Sequence, residues 1–300
     1  MKRAFIIAFV TTFLIVAWFT NSNSNDDVGL KQSILHNGIS RDYILHVPEN
    51  LPTNAPLVVV SHGYTSSANT MMAYSGMNKV ADAEKFLVVY PQGTKDLRGN
   101  NFFNVGYEFH ASSKVDDLGF IKTLVTKVAD EYQINPNHIF ATGMSNGGDL
   151  SYFLACYASD IFQAVAPIAG TMMQTTIETC KPKKGMPIFA VHGKADEVTY
   201  FDGDMANRDK WGPYPGIPAV IEHWVDVNAV EISKQVNLDN ITNFTASNEA
   251  LSFDRYLSET SDHEVWLYIH SGGHDWSLKE LDTSSEIWSF FTRYINWLLV

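Results

Sequence analysis

Short, uninterrupted apolar runs limit this chain's architecture more than any other feature. They are Leu57-Val58-Val59-Val60, Leu87-Val88-Val89-Tyr90, Ile139-Phe140-Ala141, Ala164 to Ile168, Ile188 to Val191 and Val265 to Ile269. Runs with no polar residue at every second position fit strands covered on both faces, as in a parallel sheet. The earlier segment Tyr43 to Val47 alternates instead, which suits an edge strand or an antiparallel hairpin. Between the runs lie helical patterns. Ile121, Leu124, Val125 and Val128 form one apolar face within Phe120 to Tyr132, and Leu150, Phe153, Leu154 and Tyr157 form another. A last helix is expected from Ser284 to Trp297. Strands and helices in this alternation predict an α/β fold with a mostly parallel central sheet, right-handed crossovers and helices on both faces. With no internal repeat and no low-complexity linker, residues 32–300 read as a single domain. The stretch from Tyr200 to Gly216 has no period and holds Phe201, Trp211 and Tyr214. It reads equally as a binding loop and as a tolerated insertion.

The first 25 residues differ from the rest. Lys2 and Arg3 precede the apolar run Ala4 to Phe19, and a polar stretch follows from Asn21. That is the layout of a secretory signal peptide, and the run is short for a membrane span, which needs about 20 residues. The expectation is therefore an exported chain, secreted or periplasmic, with residues 1–25 as a leader or N-terminal anchor. No stable membrane insertion is expected once the leader is cleaved. With 21 basic against 33 acidic side chains the formal charge is −12. Such a surface repels polyanions, so nucleic acid is not an expected partner. The two cysteines, Cys156 and Cys180, suit neither a zinc site nor a redox pair. Read as residues alone, they are either a disulfide or two separate buried thiols.

The sharpest chemical signal is Gly143-Met144-Ser145-Asn146-Gly147-Gly148, set between a strand-like run and the helix of Leu150. Glycines at this spacing let the backbone turn sharply from strand to helix and leave a serine hydroxyl exposed at a helix N-terminus. Ser145 is the expected nucleophile. Serine needs a base, and His274, in Ser271-Gly272-Gly273-His274-Asp275-Trp276 beyond the last apolar strand, is the expected one. His263, His270 and His223 read as packing or surface residues. The base needs an orienting carboxylate, and Asp196 follows the strand ending at Val191. Glu197 is its near competitor. Asp116 and Asp117 read as a helix N-cap and first-turn residue. An oxyanion needs preorganised N–H donors. The amide of Asn146 is one, and the amide of Tyr64, in the turn Ser61-His62-Gly63-Tyr64-Thr65, is the expected second. His62 reads as a structural residue that ties this turn down. Tyr64, Trp276 and Trp211 are candidate walls of a substrate cleft.

Taken in order, Pro56 to Gly63, Tyr90-Pro91-Gln92-Gly93, Val115 to Phe120, Ala141 to Gly148, His192-Gly193 with Asp196, and Gly272 to Trp276 resemble the secreted polyhydroxybutyrate-depolymerase-like esterases, a group with feruloyl and acetylxylan esterases. The resemblance spans about residues 43–298. It implies an α/β-hydrolase fold, a Ser-Asp-His triad with no metal or other cofactor, and a disulfide between Cys156 and Cys180. The implied substrate is a small-molecule or polymer-derived ester. The segment Asn104 to Phe109 and the lengthened 202–218 region depart from the family pattern, which bears on substrate rather than on the triad. A peptidase of the same fold is expected to carry an added domain for which this chain has no room. A non-catalytic binding protein on the same scaffold is the remaining alternative.

Overall fold

The computed structural model describes residues 29–230, 232–235, 250–258, 262–276 and 281–295, so the expected leader over residues 1–25 lies outside the described part. The order begins with strands β1 (Leu30–His36), β2 (Ile39–His46) and β3 (Leu57–Ser61), then helices α1 (Ala68–Ser75) and α2 (Met77–Glu84). Next come β4 (Leu87–Pro91), the short ribbon β5 (Thr94–Lys95) and β6 (Asn101–Phe102), α3 (Asp117–Tyr132), β7 (Ile139–Met144) and α4 (Asn146–Tyr157). The remainder is β8 (Ala164–Ile168), α5 (Gln174–Thr179), β9 (Ile188–Gly193), α6 (Ile217–Val227), β10 (Ile232–Gln235), β11 (Ala250–Leu257), β12 (Val265–His270) and α7 (Thr283–Thr292).

The main sheet runs β1-β2-β4-β3-β7-β8-β9-β12-β11-β10. From β4 to β12 every neighbouring pair is parallel. Antiparallel strands close both ends, β2 and β1 on one side and β11 and β10 on the other. The apolar runs acquire a simple explanation. In β3, Leu57 and Val59 enter one core while Val58 and Val60 enter the other. The same alternation holds for Leu87 and Val89 against Val88 and Tyr90, and for Ile188 and Ala190 against Phe189 and Val191. Helices α3, α4 and α6 cover the first face through Phe120, Leu124, Leu154 and Trp224. Helices α1, α2 and α7 cover the second through Met71, Ala81, Ile287 and Phe291.

Sequence periodicity misses the outermost strands for a physical reason. β1 has one face open to water, so its exposed and half-buried residues alternate without an apolar run. The expected domain start at residue 32 therefore falls inside β1. The last helix ends at Thr292, five residues short of the expected Trp297, and Trp297 itself lies outside the described residues.

Asp116 and Asp117 take the structural roles expected of them. Asp116 caps α3 by accepting from the Gly119 amide at 2.8 Å. Asp117, buried in the first turn, pairs with Arg41 at 2.5 Å and accepts the Asn104 amide at 2.6 Å. The disulfide implied by the family resemblance joins Cys156, near the end of α4, to Cys180 just past α5. Closing a loop of this size restricts the unfolded chain, an effect worth about 3 kcal/mol. Replacing both cysteines by serine should lower the thermal midpoint by roughly 6–12 °C in a chain of this size. Calorimetry of the variant against the oxidised protein checks this, and an unchanged midpoint would show that packing alone holds the loop.

Candidate active site

All the predicted chemistry collects at the carboxyl ends of the parallel strands. Ser145 follows β7, Asp196 follows β9, His274 follows β12, and the turn with Tyr64 follows β3. Open α/β sheets build their sites at this edge because the loops there are free to vary above a rigid frame.

Ser145 sits at the junction of β7 and α4 with φ 56° and ψ −121°, a backbone state that L residues rarely occupy. Its amide donates to Ile168 at 2.9 Å, and its carbonyl accepts the Asp149 amide at 2.8 Å, the first bond of α4. Glycine is required where the helix touches the sheet. A Cβ on Gly147 would lie 2.2 Å from the Ser61 carbonyl oxygen, and one on Gly143 would lie 2.5 Å from that of Gly147. The result is a serine held on a strained turn at a helix N-terminus. Strain of this kind collects at functional sites and is held by the surrounding packing.

Asp196 and His274 meet. His274 Nδ1 lies 2.8 Å from Asp196 Oδ2, and the other carboxylate oxygen accepts the amides of Val198 and Thr199, both at 2.8 Å. Burial by itself pushes the Asp196 carboxyl up, but the hydrogen bond and charge of His274 and the Val198 amide outweigh it and hold the group below its ordinary value. An ionised carboxylate only accepts, so His274 carries its proton on Nδ1 and leaves Nε2 as the basic nitrogen. The competitor Glu197 is exposed beside it, whereas Asp196 is 4% exposed.

The turn after β3 lies against the serine, where a Cβ on Gly63 would approach the Ser145 Cβ to 3.3 Å. Within it the Thr65 amide donates to Asn101 and the Ser66 amide to Gly63. Among the described residues, neither the Tyr64 nor the Asn146 amide has a protein acceptor. Asn146 does more than offer an amide. Its side chain is fully buried and pairs both ways with the main chain of Phe103, accepting at 2.7 Å and donating at 3.0 Å. His62 ties the turn down as expected. Its Nδ1 donates to the Gly63 carbonyl at 2.8 Å while its Nε2 accepts the Gly93 amide at 3.0 Å. Burial lowers its pKa to about 4, against the opposing pull of the Gly63 carbonyl, so the ring stays neutral. His192 behaves alike. It is buried, lowered to about 4 by that burial, and donates to the Thr199 carbonyl at 2.8 Å.

Next to Ser145 opens a recess of about 270 Å³, including its mouth. Tyr107, Asp149, Thr171, Met173, Val198, Thr199, Trp211 and Tyr214 line it with Ser145. Trp211 thus stands where a cleft wall was expected. The irregular segment that carries it docks through its carbonyl, which accepts the Glu108 amide at 2.8 Å. Tyr64 supports that wall indirectly. Its ring meets Trp211 edge-on at 5.6 Å, and its hydroxyl is engaged by Asp96 at 2.6 Å and Asn100 at 2.8 Å. Trp276 corrects the sequence reading. It is 1% exposed, packs in the second core and donates its indole N–H to Ser284 at 3.2 Å, so it anchors the His274 loop rather than lining the cleft.

One residue of the recess escaped the sequence reading altogether. Asp149 is 7% exposed, one turn after Ser145 in α4. It accepts the Tyr107 hydroxyl at 2.5 Å and the Thr171 amide at 2.7 Å. Burial pushes its carboxyl up to about 7 in spite of these bonds. The signal was present: a charged residue directly after Gly147-Gly148, in a helix turn that has to press against the sheet. Among the described residues no group of three or more His, Cys, Asp or Glu side chains is placed to hold a metal ion.

Comparison with known proteins places the chain in a family. The family described as esterase PHB depolymerase matches residues 41–252. A poly(3-hydroxyalkanoate) depolymerase C from Paucimonas lemoignei is 28% identical over 202 residues, covering 66% of this chain. The matched part is 47% of that depolymerase, so the chain spans about half the length of this relative. A probable feruloyl esterase C from Aspergillus flavus is 30% identical over 195 residues, which are 62% of this chain and 67% of the relative. Among solved structures, an acetyl xylan esterase from Aspergillus awamori superposes with a TM-score of 0.62 at 15% identity, covering 88% of this chain and 100% of its own, a likeness of fold. The fold is that of the α/β-hydrolases, and the chain belongs to the PHB-depolymerase esterase family.

Proposed function

We propose that this chain is a serine carboxylic ester hydrolase that works through an acyl-enzyme. The observation that carries the reading is the 2.8 Å bond from His274 to the buried Asp196, on the same sheet edge as the strained Ser145 turn. Ser145 Oγ attacks the ester carbonyl as His274 Nε2 takes its proton. Asp196 holds the ring in the needed tautomer and stabilises the imidazolium that forms. The carbonyl oxygen becomes an oxyanion, for which the unengaged Tyr64 and Asn146 amides are the donors, helped by the positive end of α4. His274 then returns the proton to the departing alcohol. In the second half it activates water, which releases the acid and restores Ser145.

Substrates are ester-linked groups of the kind the relatives are named for: feruloyl or acetyl esters on polysaccharide, or short hydroxyalkanoate polyesters and oligomers. The leader over residues 1–25, followed by one catalytic domain over residues 32–300, directs the protein out of the cytoplasm. The Cys156–Cys180 bond supports that reading, since disulfides persist in oxidising compartments. No described helix is long and apolar enough to cross a membrane.

Hydrolysis of p-nitrophenyl esters and methyl ferulate by the wild type and two variants tests the proposal. Removing the nucleophile of such a triad costs on the order of 10⁶ in kcat, and neutralising its acid about 10⁴. Ser145→Ala should therefore lose essentially all turnover, and Asp196→Asn should retain roughly one part in 10⁴. A wild type silent on every ester, or a Ser145→Ala variant equal to it, contradicts the esterase reading and favours a binding protein.

A further inference from the structure

The Asp149 carboxyl has no part in the proton transfers above, yet it lies in the wall of the recess that Ser145 opens into. A buried acid this close to a nucleophile calls for a physical role. It has no cationic partner among its hydrogen bonds, which come from a phenol and an amide. Through them it ties α4 to Tyr107 and to the loop after β8. Tyr107 in turn meets Trp211 edge-on at 4.9 Å, so the tie reaches a second lining residue of the recess.

The recess suits the acyl side of an ester. The departing alcohol must come within reach of His274, and His274 is not among the residues that line the recess. The room inside it for a water-sized group is small, about 20 Å³. Met173, Val198 and Trp211 give it apolar walls for a few carbons. Asp149 and Tyr107 line the same small space, so an acyl chain that fills it also meets them. Apolar atoms pressed against a carboxyl displace whatever solvation it has and return no hydrogen bond.

We propose that Asp149 is a specificity-determining residue, a polar group in the recess wall that favours short acyl groups and penalises longer alkyl or aromatic ones, which among the substrates named above selects acetyl over feruloyl esters. The assignment rests on the esterase reading and adds the acyl class to it. Ionisation strengthens the effect, since a carboxylate is costlier to desolvate than a carboxylic acid. The groups that bear on that ionisation are Tyr107 and the Thr171 amide through hydrogen bonds, Tyr152 and Tyr214 through space, and the His274–Asp196 pair.

The test is the ratio of kcat/KM for p-nitrophenyl butyrate to that for p-nitrophenyl acetate, in wild type, Asp149→Leu and Asp149→Asn. A methylene gained or lost in an apolar pocket changes this ratio by about tenfold or more. The Asp149→Leu ratio should therefore exceed the wild-type ratio by at least about tenfold. A purely structural role for Asp149 lowers both constants together and leaves the ratio unchanged, which overturns the proposal. Where Asp149→Leu does not fold, the other two proteins decide. The wild-type ratio should fall as pH rises through about 7 while that of Asp149→Asn stays level. Equal pH dependence in the two overturns the proposal. A wild type inactive on both esters, or matched by Ser145→Ala, removes the esterase reading and this assignment with it. A wild type active on both with an unmoved ratio removes this assignment alone.

Discussion

The site depends on one close contact between backbones. The first turn of α4 presses so tightly on the sheet that a single added carbon on Gly147 would reach 2.2 Å from the Ser61 carbonyl oxygen. This approach brings the helix N-terminus beside the turn after β3, and among the described residues neither the Asn146 amide of the helix nor the Tyr64 amide of the turn has a protein acceptor. It also forces Ser145 into its rare backbone state, which the neighbouring bonds to Ile168 and from Asp149 hold in place. The Asn146 side chain then locks Phe103, and with it the loop that runs on to Tyr107. Sheet, elbow and recess wall are consequently set by a few main-chain contacts and two glycines.

Around this frame the protein separates two buried carboxyls by environment. Asp196 has a histidine and amide donors, and sits below its ordinary range despite burial. Asp149 has a phenol and one amide, and burial carries it up to about 7. Two acids near one serine thus ionise at different pH, a device that recurs where one fold must assign different roles to like groups. His62 and His192, both lowered to about 4 by burial, stay neutral and serve as hydrogen-bonding struts.

Much of this could be read before any coordinates. Central strands were legible because burial on both faces writes an unbroken apolar run, as in Leu57 to Val60. The elbow was legible because its glycines are demanded by sterics at fixed spacing. The strands β1 and β11 were not, since a strand with one wet face leaves a weaker pattern. Trp276 misled because an aromatic beside a candidate base suggests a cleft wall; nothing local reveals that its loop turns the indole into the core. Asp149 was passed over because its meaning lies in partners 22 and 42 residues away, Thr171 and Tyr107, which only the fold assembles.

The central claim is that Ser145 is an activated nucleophile, and covalent capture tests it without assuming a substrate. The folded protein would be treated with a fluorophosphonate and its intact mass and peptide map recorded. The account predicts one phosphonyl adduct per chain, on Ser145, lost in His274→Ala. An unmodified chain, or an adduct on another residue, would contradict it.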